Sequence, residues 1–307
     1  MYLWLATTFV VLIFGLPAAA VVGLAALAPA GAVGSLLVAV AAPFVYVVLY
    51  VTVAGLLSTP FHGSIRAGKL PRDLRNPAYR ARRLYGLCWT AVYYFTPVYW
   101  VALTLPWLKR WTFRRFGYRG QMDFTVYPDT WIRDLPLLDF GPGAYVSNKA
   151  TIGTNVATNN GHLLVDAVTI GKGAMVGHLA MVSTGCVLDE GAEVGVGCAL
   201  GSKIHVGKGA YVAPCTAVGH YADFADGAEV GFQSWVDMRA RIGPGVKLPA
   251  RSIVPYRARL DTQADADRIL SSRDGDLATL ARRLGEAATP PRPAPEAPAR
   301  AAHVAFE

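Results

Sequence analysis

Apolar positions along this chain follow different rhythms, and each rhythm predicts a different element. No Asp, Glu, Lys or Arg occurs before Arg66. Residues 2–28 and 32–58 each supply the roughly 20 apolar residues that a bilayer-crossing helix needs. Ala28-Pro29-Ala30-Gly31 separates them as a short turn. The pattern predicts a transmembrane helical hairpin over 1–58. No basic region precedes it and its apolar run is too long for a cleaved signal peptide.

A basic stretch, 59–83, comes next, with Arg66, Lys69, Arg72, Arg75, Arg80, Arg82 and Arg83 against the single acid Asp73. Basic loops stay on the cytoplasmic side, so both ends of the hairpin are expected inside. Residues 84–108 are again uncharged but aromatic, and Lys109, Arg110, Arg114 and Arg115 close them. With basic clusters on both flanks, 84–116 reads as an interfacial segment with its aromatics at headgroup level. A third spanning helix is the alternative. Residues 117–139 read as a lead-in to a separate C-terminal domain.

From Phe140 the period becomes six. Every sixth residue from Phe140 to Val254 is apolar, with Thr158 the exception, and the next residue is glycine in half the hexads. The position four after the aliphatic is mostly small, as at Ala144, Ala174, Ala192 and Ala210. A six-residue period is neither helical nor a simple strand alternation; it is the hexapeptide β-helix rhythm. Each hexad is a short strand and a corner, and three close a triangular coil of about 18 residues with neighbouring strands about 4.8 Å apart. The prediction is an all-β parallel β-helix over 140–260. Residues 261–287 carry leucines at helical spacing and are expected to form a C-terminal helix capping the open end. The Pro/Ala-rich 288–307 is expected to be a disordered tail.

Composition narrows the classes. The 307 residues are 53% hydrophobic and 16% charged, against about 25% charged in a typical soluble chain. Four cysteines are too sparse for a disulfide scaffold. Cys186 and Cys198 fall in small inward slots, Cys215 at a corner and Cys88 in the aromatic segment. No metal spacing, phosphate loop or nucleic-acid module is present. The net charge of +8 suits an anionic membrane face or an anionic donor.

The hexads Val176-Gly-His-Leu-Ala-Met, Val194-Gly-Val-Gly-Cys-Ala and Ile242-Gly-Pro-Gly-Val-Lys resemble those of the hexapeptide-repeat acyltransferases, and so does Leu248-Pro-Ala-Arg-Ser-Ile-Val-Pro-Tyr-Arg-Ala at the end of the repeat. The resemblance covers about 140–260 and implies a left-handed parallel β-helix. It also implies acyl transfer from CoA or a carrier thioester, and a homotrimer with active sites between neighbouring β-helices. A histidine would take the proton of the acceptor's hydroxyl or amine. The run from Trp107 to Gly120, with Thr130-Trp-Ile-Arg-Asp-Leu-Pro-Leu-Leu-Asp-Phe-Gly, is similar to the membrane-embedded terminal modules of poly-lysine-type nonribosomal peptide synthetases. That likeness implies an amide-forming reaction with a peptidyl or acyl carrier partner.

Six histidines compete for the role of base. His62 lies at the membrane edge, His303 in the tail, and His205 faces outward on a strand. His178 and His220 both follow Val-Gly, the corner position at which, by the resemblance, family members carry their base. Leu179 and Tyr221 stand where family members often have an orienting Asp. His162 lies in Thr158-Asn-Asn-Gly-His-Leu, expected to bulge outward ahead of Val168-Thr-Ile-Gly, where several family members place a histidine. With 18 residues per coil, His178 should stack on Asn160, so Asn159, Asn160, His162 and His178 should gather at one corner, His178 or His162 as base and the amides binding substrate. His220 is the alternative base, over Ser202 and Thr184. The expectation is a multi-pass enzyme of the inner, cytoplasmic membrane with its β-helix inside, using an acyl-CoA or carrier thioester and no metal. A non-catalytic β-helix scaffold is the other reading.

Overall fold

A computed structural model describes residues 2–270. Two long apolar helices open it, α1 (Tyr2–Leu27) and α2 (Ala32–Ser58), the second prolonged by a 3-10 turn, Thr59–Ser64. Among the described residues these two are long and apolar enough to cross a membrane. Their turn is closed at Gly34, where a Cβ would lie 1.8 Å from the Pro29 carbonyl oxygen.

The aromatic segment is three helices rather than one. α3 (Pro77–Tyr94) breaks at Phe95 into α4 (Thr96–Thr104), and α5 (Pro106–Arg115) comes after Leu105. Pro97 and Pro106 sit in the first turns of α4 and α5, where a missing N–H costs no hydrogen bond. The side chain of Asn76 caps α3 by accepting from the Tyr79 N–H at 3.1 Å. The buried face of α3, including Leu84, Tyr85, Trp89 and Val92, fastens the helices to the β-domain. Trp89 Nε1 donates to the Ile132 carbonyl at 2.7 Å, and Tyr85 accepts the Leu135 N–H at 3.1 Å. Arg82 pairs with Asp134, both buried.

The β-domain is a parallel solenoid of three seven-stranded sheets, one per face. It begins two strands earlier than the rhythm from Phe140 announces. Phe124–Val126, Trp131–Ile132 and Leu138–Phe140 form its first coil, inside the segment expected to be a lead-in. The reason is spacing: Leu135–Leu137 forms a 3-10 turn before the third strand, so the first coil breaks the six-residue rhythm.

Inside, the aliphatics stack from coil to coil, as in Val146, Val176, Val194, Val212, Val230 and Leu248 on the first face. All of these are buried. Cys186 and Cys198 fill small inward slots as expected and are fully buried. At Gly177 the glycine after the aliphatic is favoured by space, not by φ: a Cβ there would come within 2.7 Å of the Gly195 carbonyl carbon on the next coil. The left-handed corner residue comes two positions later and is often not glycine, as at Leu179 with φ 59°.

The stack is interrupted once. Asn155–Ala157 and His162–Val165 leave the solenoid as an antiparallel hairpin, and Gly68–Pro71 joins its edge. The hexad from Thr158 leaves the stack as expected, and Leu164, which the rhythm places inside, leaves with it. The cause is local: Thr158 would be a polar group in an aliphatic column, and Thr158-Asn-Asn-Gly is turn-forming. Beyond Leu260 a helix over 263–270 covers the last coil. Gln263 there bonds both the N–H and the carbonyl of Lys247, satisfying an open strand edge. The remainder of the expected helix 261–287 and the tail 288–307 lie outside the described residues.

Candidate active site

The excursion of the hairpin rearranges the predicted corner. It spans two hexads, so His178 sits not on Asn160 but on Asn148, and the two residues are 30 apart in sequence. Asn159 and Asn160 lie at the exposed tip of the hairpin with His162. That hairpin leaves the corner between the second face (Trp131–Ile132, Thr151–Ile152, Met181–Val182) and the third (Leu138–Phe140, Val168–Ile170, Val187–Leu188). His178 lies between the first face and the second. The expected cluster of Asn159, Asn160, His162 and His178 is not formed.

The hydrogen bonds sort the histidines by protonation. His178 Nδ1 is 3.1 Å from Asn148 Oδ1. An amide oxygen only accepts, so in the neutral ring Nδ1 carries the proton and Nε2 keeps its lone pair. The Ser147 hydroxyl, 3.1 Å from the same oxygen, holds the amide in that orientation. The ring is half-buried at a solenoid corner, with Leu179 exposed beside it.

His162 also directs Nδ1 at oxygens, the Asn160 carbonyl at 3.0 Å and Oδ1 at 3.2 Å, but both belong to its own hairpin tip. His220 is the opposite case. Its Nδ1 accepts the Ser202 N–H at 2.7 Å, so the neutral ring carries its proton on Nε2 and has no lone pair to offer there. Its place over Ser202 agrees with the coil count.

His205, outward on the third face, lies between two carboxylates. Nε2 is 2.8 Å from Asp189 and Nδ1 2.8 Å from Asp223, which also pairs with Arg241. Both nitrogens donate, which suits an imidazolium, not a base. Burial opposes that charge, but the bonds to Asp223 and Asp189 outweigh it and raise the pKa above the ordinary histidine value. A histidine with a raised folded pKa stabilises fully below its unfolded pKa and loses that contribution as pH rises through the folded value. Thermal unfolding of the wild type should therefore shift down more between about pH 6 and pH 8 than that of His205→Gln. Parallel pH profiles would remove this role.

No family model matches the chain, and no curated protein matches it. Similar solved structures include GDP-perosamine N-acetyltransferase from Caulobacter crescentus in complex with CoA and GDP-perosamine. It is 19% identical over 48% of this chain and 56% of that one, with a TM-score of 0.24. The acetyltransferase domain of PglB from Neisseria gonorrhoeae, in complex with acetyl coenzyme A, is 17% identical over 47% and 60%, with a TM-score of 0.23. UDP-N-acetylglucosamine acyltransferase from Campylobacter jejuni is 15% identical over 56% and 92%, with a TM-score of 0.21. The chain spans 56% and 60% of the lengths of the first two. At these scores the likenesses carry no argument about activity, and the chemistry has to come from the side chains.

Two features have no local signature in the sequence. Asn148 is separated from His178 by the hairpin, so no short motif joins them. Lys109 was legible only as part of a basic flank. Its ammonium lies 3.9 Å over the Phe124 ring and donates to the Phe124 carbonyl. Burial lowers its pKa to about 8, and it lines a cavity of about 550 Å³ between α5 and the first coil. Among the described residues no group of three or more His, Cys, Asp or Glu is placed to hold a metal ion.

Proposed function

We propose that this chain is a membrane-anchored acyltransferase in which His178 is the general base. The observation that carries the reading is the bond from His178 Nδ1–H to Asn148, which in the neutral ring leaves the Nε2 lone pair free at a solenoid corner. Nε2 takes the proton from an acceptor hydroxyl or amine as that atom attacks the carbonyl of a CoA or carrier-protein thioester. The tetrahedral intermediate collapses, the C–S bond breaks, and the imidazolium returns the proton to the departing sulfur. The acceptor leaves acylated and the donor leaves as a thiol. An amine acceptor with a carrier-bound aminoacyl donor fits the same base.

A neighbouring copy completes the cleft in this proposal, in a left-handed β-helix homotrimer. What supports it is the second face beside His178. Its outward positions include Met181, Ala199, Ala217 and Trp235, with no charge among them, and Met181 and Trp235 are half exposed. The third face carries His205, Asp223, Arg241 and Arg259 instead. The direct test is thiol release from acetyl-CoA or an acyl-carrier thioester by the full chain in detergent. Release that survives alanine at both His178 and His162 ends this reading.

In this proposal the solenoid lies on the cytoplasmic side of the inner membrane, where CoA is found. The support is the basic stretch after the two apolar helices. Cys215 is exposed while Cys88, Cys186 and Cys198 are buried, so the native chain already carries its own probe. A membrane-impermeant maleimide applied to intact cells should leave Cys215 unlabelled and should label it after lysis. Labelling of intact cells would put the solenoid outside and remove CoA as donor.

A further inference from the structure

Four arginines converge where the helices meet the solenoid. Arg72, Arg82, Arg83 and Arg133, with Tyr79 and Asn155, line a cavity of about 190 Å³. That is below the roughly 300–1,000 Å³ of pockets that enclose a whole drug-sized ligand, so it suits one charged group of a larger molecule. The one acid paired into the cluster is Asp134, which binds Arg82 through Oδ2, a carboxylate oxygen shared with the Thr154 hydroxyl. A single carboxylate leaves most of the four positive charges uncompensated.

The detail that points to a ligand is the buried Arg82, and the packing around Gly86 accompanies it. Arg82 has a side chain only 3% exposed, yet its Nη1 is buried without a hydrogen-bond partner; Arg133 Nε makes no hydrogen bond either but lies 3.8 Å from Asp134 Oδ1. The unpaired Arg82 Nη1 is a costly buried donor, and an anion would satisfy it. Gly86 lies inside α3. A glycine in mid-helix costs about 1 kcal/mol against alanine. A Cβ at this position would come within 2.6 Å of Arg133 Nη2. The glycine leaves room for that guanidinium against α3, although the Arg133 side chain could also shift to admit a methyl group.

We propose that this cavity binds a phosphate ester, held by bidentate guanidinium contacts. Arg72 and Arg83 are exposed and form its mouth, while Arg82 and Arg133 lie deeper. The site does not depend on the acyl-transfer reading, because none of its residues touches His178. Two sources share its chemistry. The headgroup of a phospholipid could enter, since the apolar span Ala32–Ser64 ends only a few residues before Arg72. A soluble phosphorylated molecule could enter from the aqueous side.

The test uses the full chain in phosphatidylcholine nanodiscs and titrates inorganic pyrophosphate, read by calorimetry. The wild type should bind, and Arg72→Gln and Arg83→Gln should each weaken binding about tenfold or more, the range for losing hydrogen bonds to a charged group. Lys69→Gln removes the same charge from an exposed position outside the cavity and should change the affinity little. Circular dichroism checks that each variant is folded. Repeating the titration with phosphatidic acid in the nanodiscs separates the sources. Competition assigns the site to a lipid headgroup, and undiminished binding assigns it to a soluble phosphate ester. Absence of pyrophosphate binding in both kinds of nanodisc overturns the proposal, and so does an equal loss in Lys69→Gln.

Discussion

His178→Ala is expected to lower thioester turnover by roughly 10²–10⁴-fold while the solenoid stays folded, the usual worth of a positioned general base. The ring sits on a corner and contributes nothing to the aliphatic stack, so its removal opens no cavity. Asn148→Leu should have a smaller effect, about 10–100-fold, because an orienting partner acts only through the residue it holds. That variant should also alter the pH profile of turnover, since Nδ1 loses its acceptor and the two neutral tautomers become comparable. A structural role for Asn148 would lower activity without moving the profile. His162→Ala separates the remaining candidates. If it abolishes turnover while His178→Ala does not, the base sits on the hairpin tip and His178 is a bystander.

Val194→Asp should unfold the solenoid, and Val196→Asp should not. Val194 is fully buried, stacked between Val176 and Val212. A carboxylate there has no partner, and burying it costs several kcal/mol. A domain is stable by only about 5–15 kcal/mol in total. Two residues on, Val196 is 46% exposed at a corner, where a charge remains in water. Far-UV circular dichroism with thermal unfolding decides. Equal damage at both positions would contradict the observed inside–outside alternation.

The aliphatic at every sixth position, with a small residue four later, was enough to specify a solenoid. Only a stacked triangular coil buries both sets of side chains. The uncharged first 65 residues likewise specified two helices suited to an apolar phase. The internal roles of Cys186 and Cys198, and the position of His220 over Ser202, also came from the repeat alone.

The active-site corner did not come from the repeat, and the reason is arithmetic joined to packing. The hairpin that leaves the stack after Ile152 is two hexads long. An excursion of that length keeps the six-residue phase intact, so no slip is visible in the sequence. It is not a whole coil, however, and every later hexad lies on a different face from the one a count through it assigns. Stacking therefore put His178 on Asn148, and the hairpin carried Asn159 and Asn160 away to its exposed tip and paired His162 with Pro71. The protonation of each histidine was equally invisible beforehand. It is set by whether the neighbouring coil presents an oxygen, as to His178 and His205, or an N–H, as to His220. The repeat fixes which residues point outward, and only the packed coils decide what each of them meets.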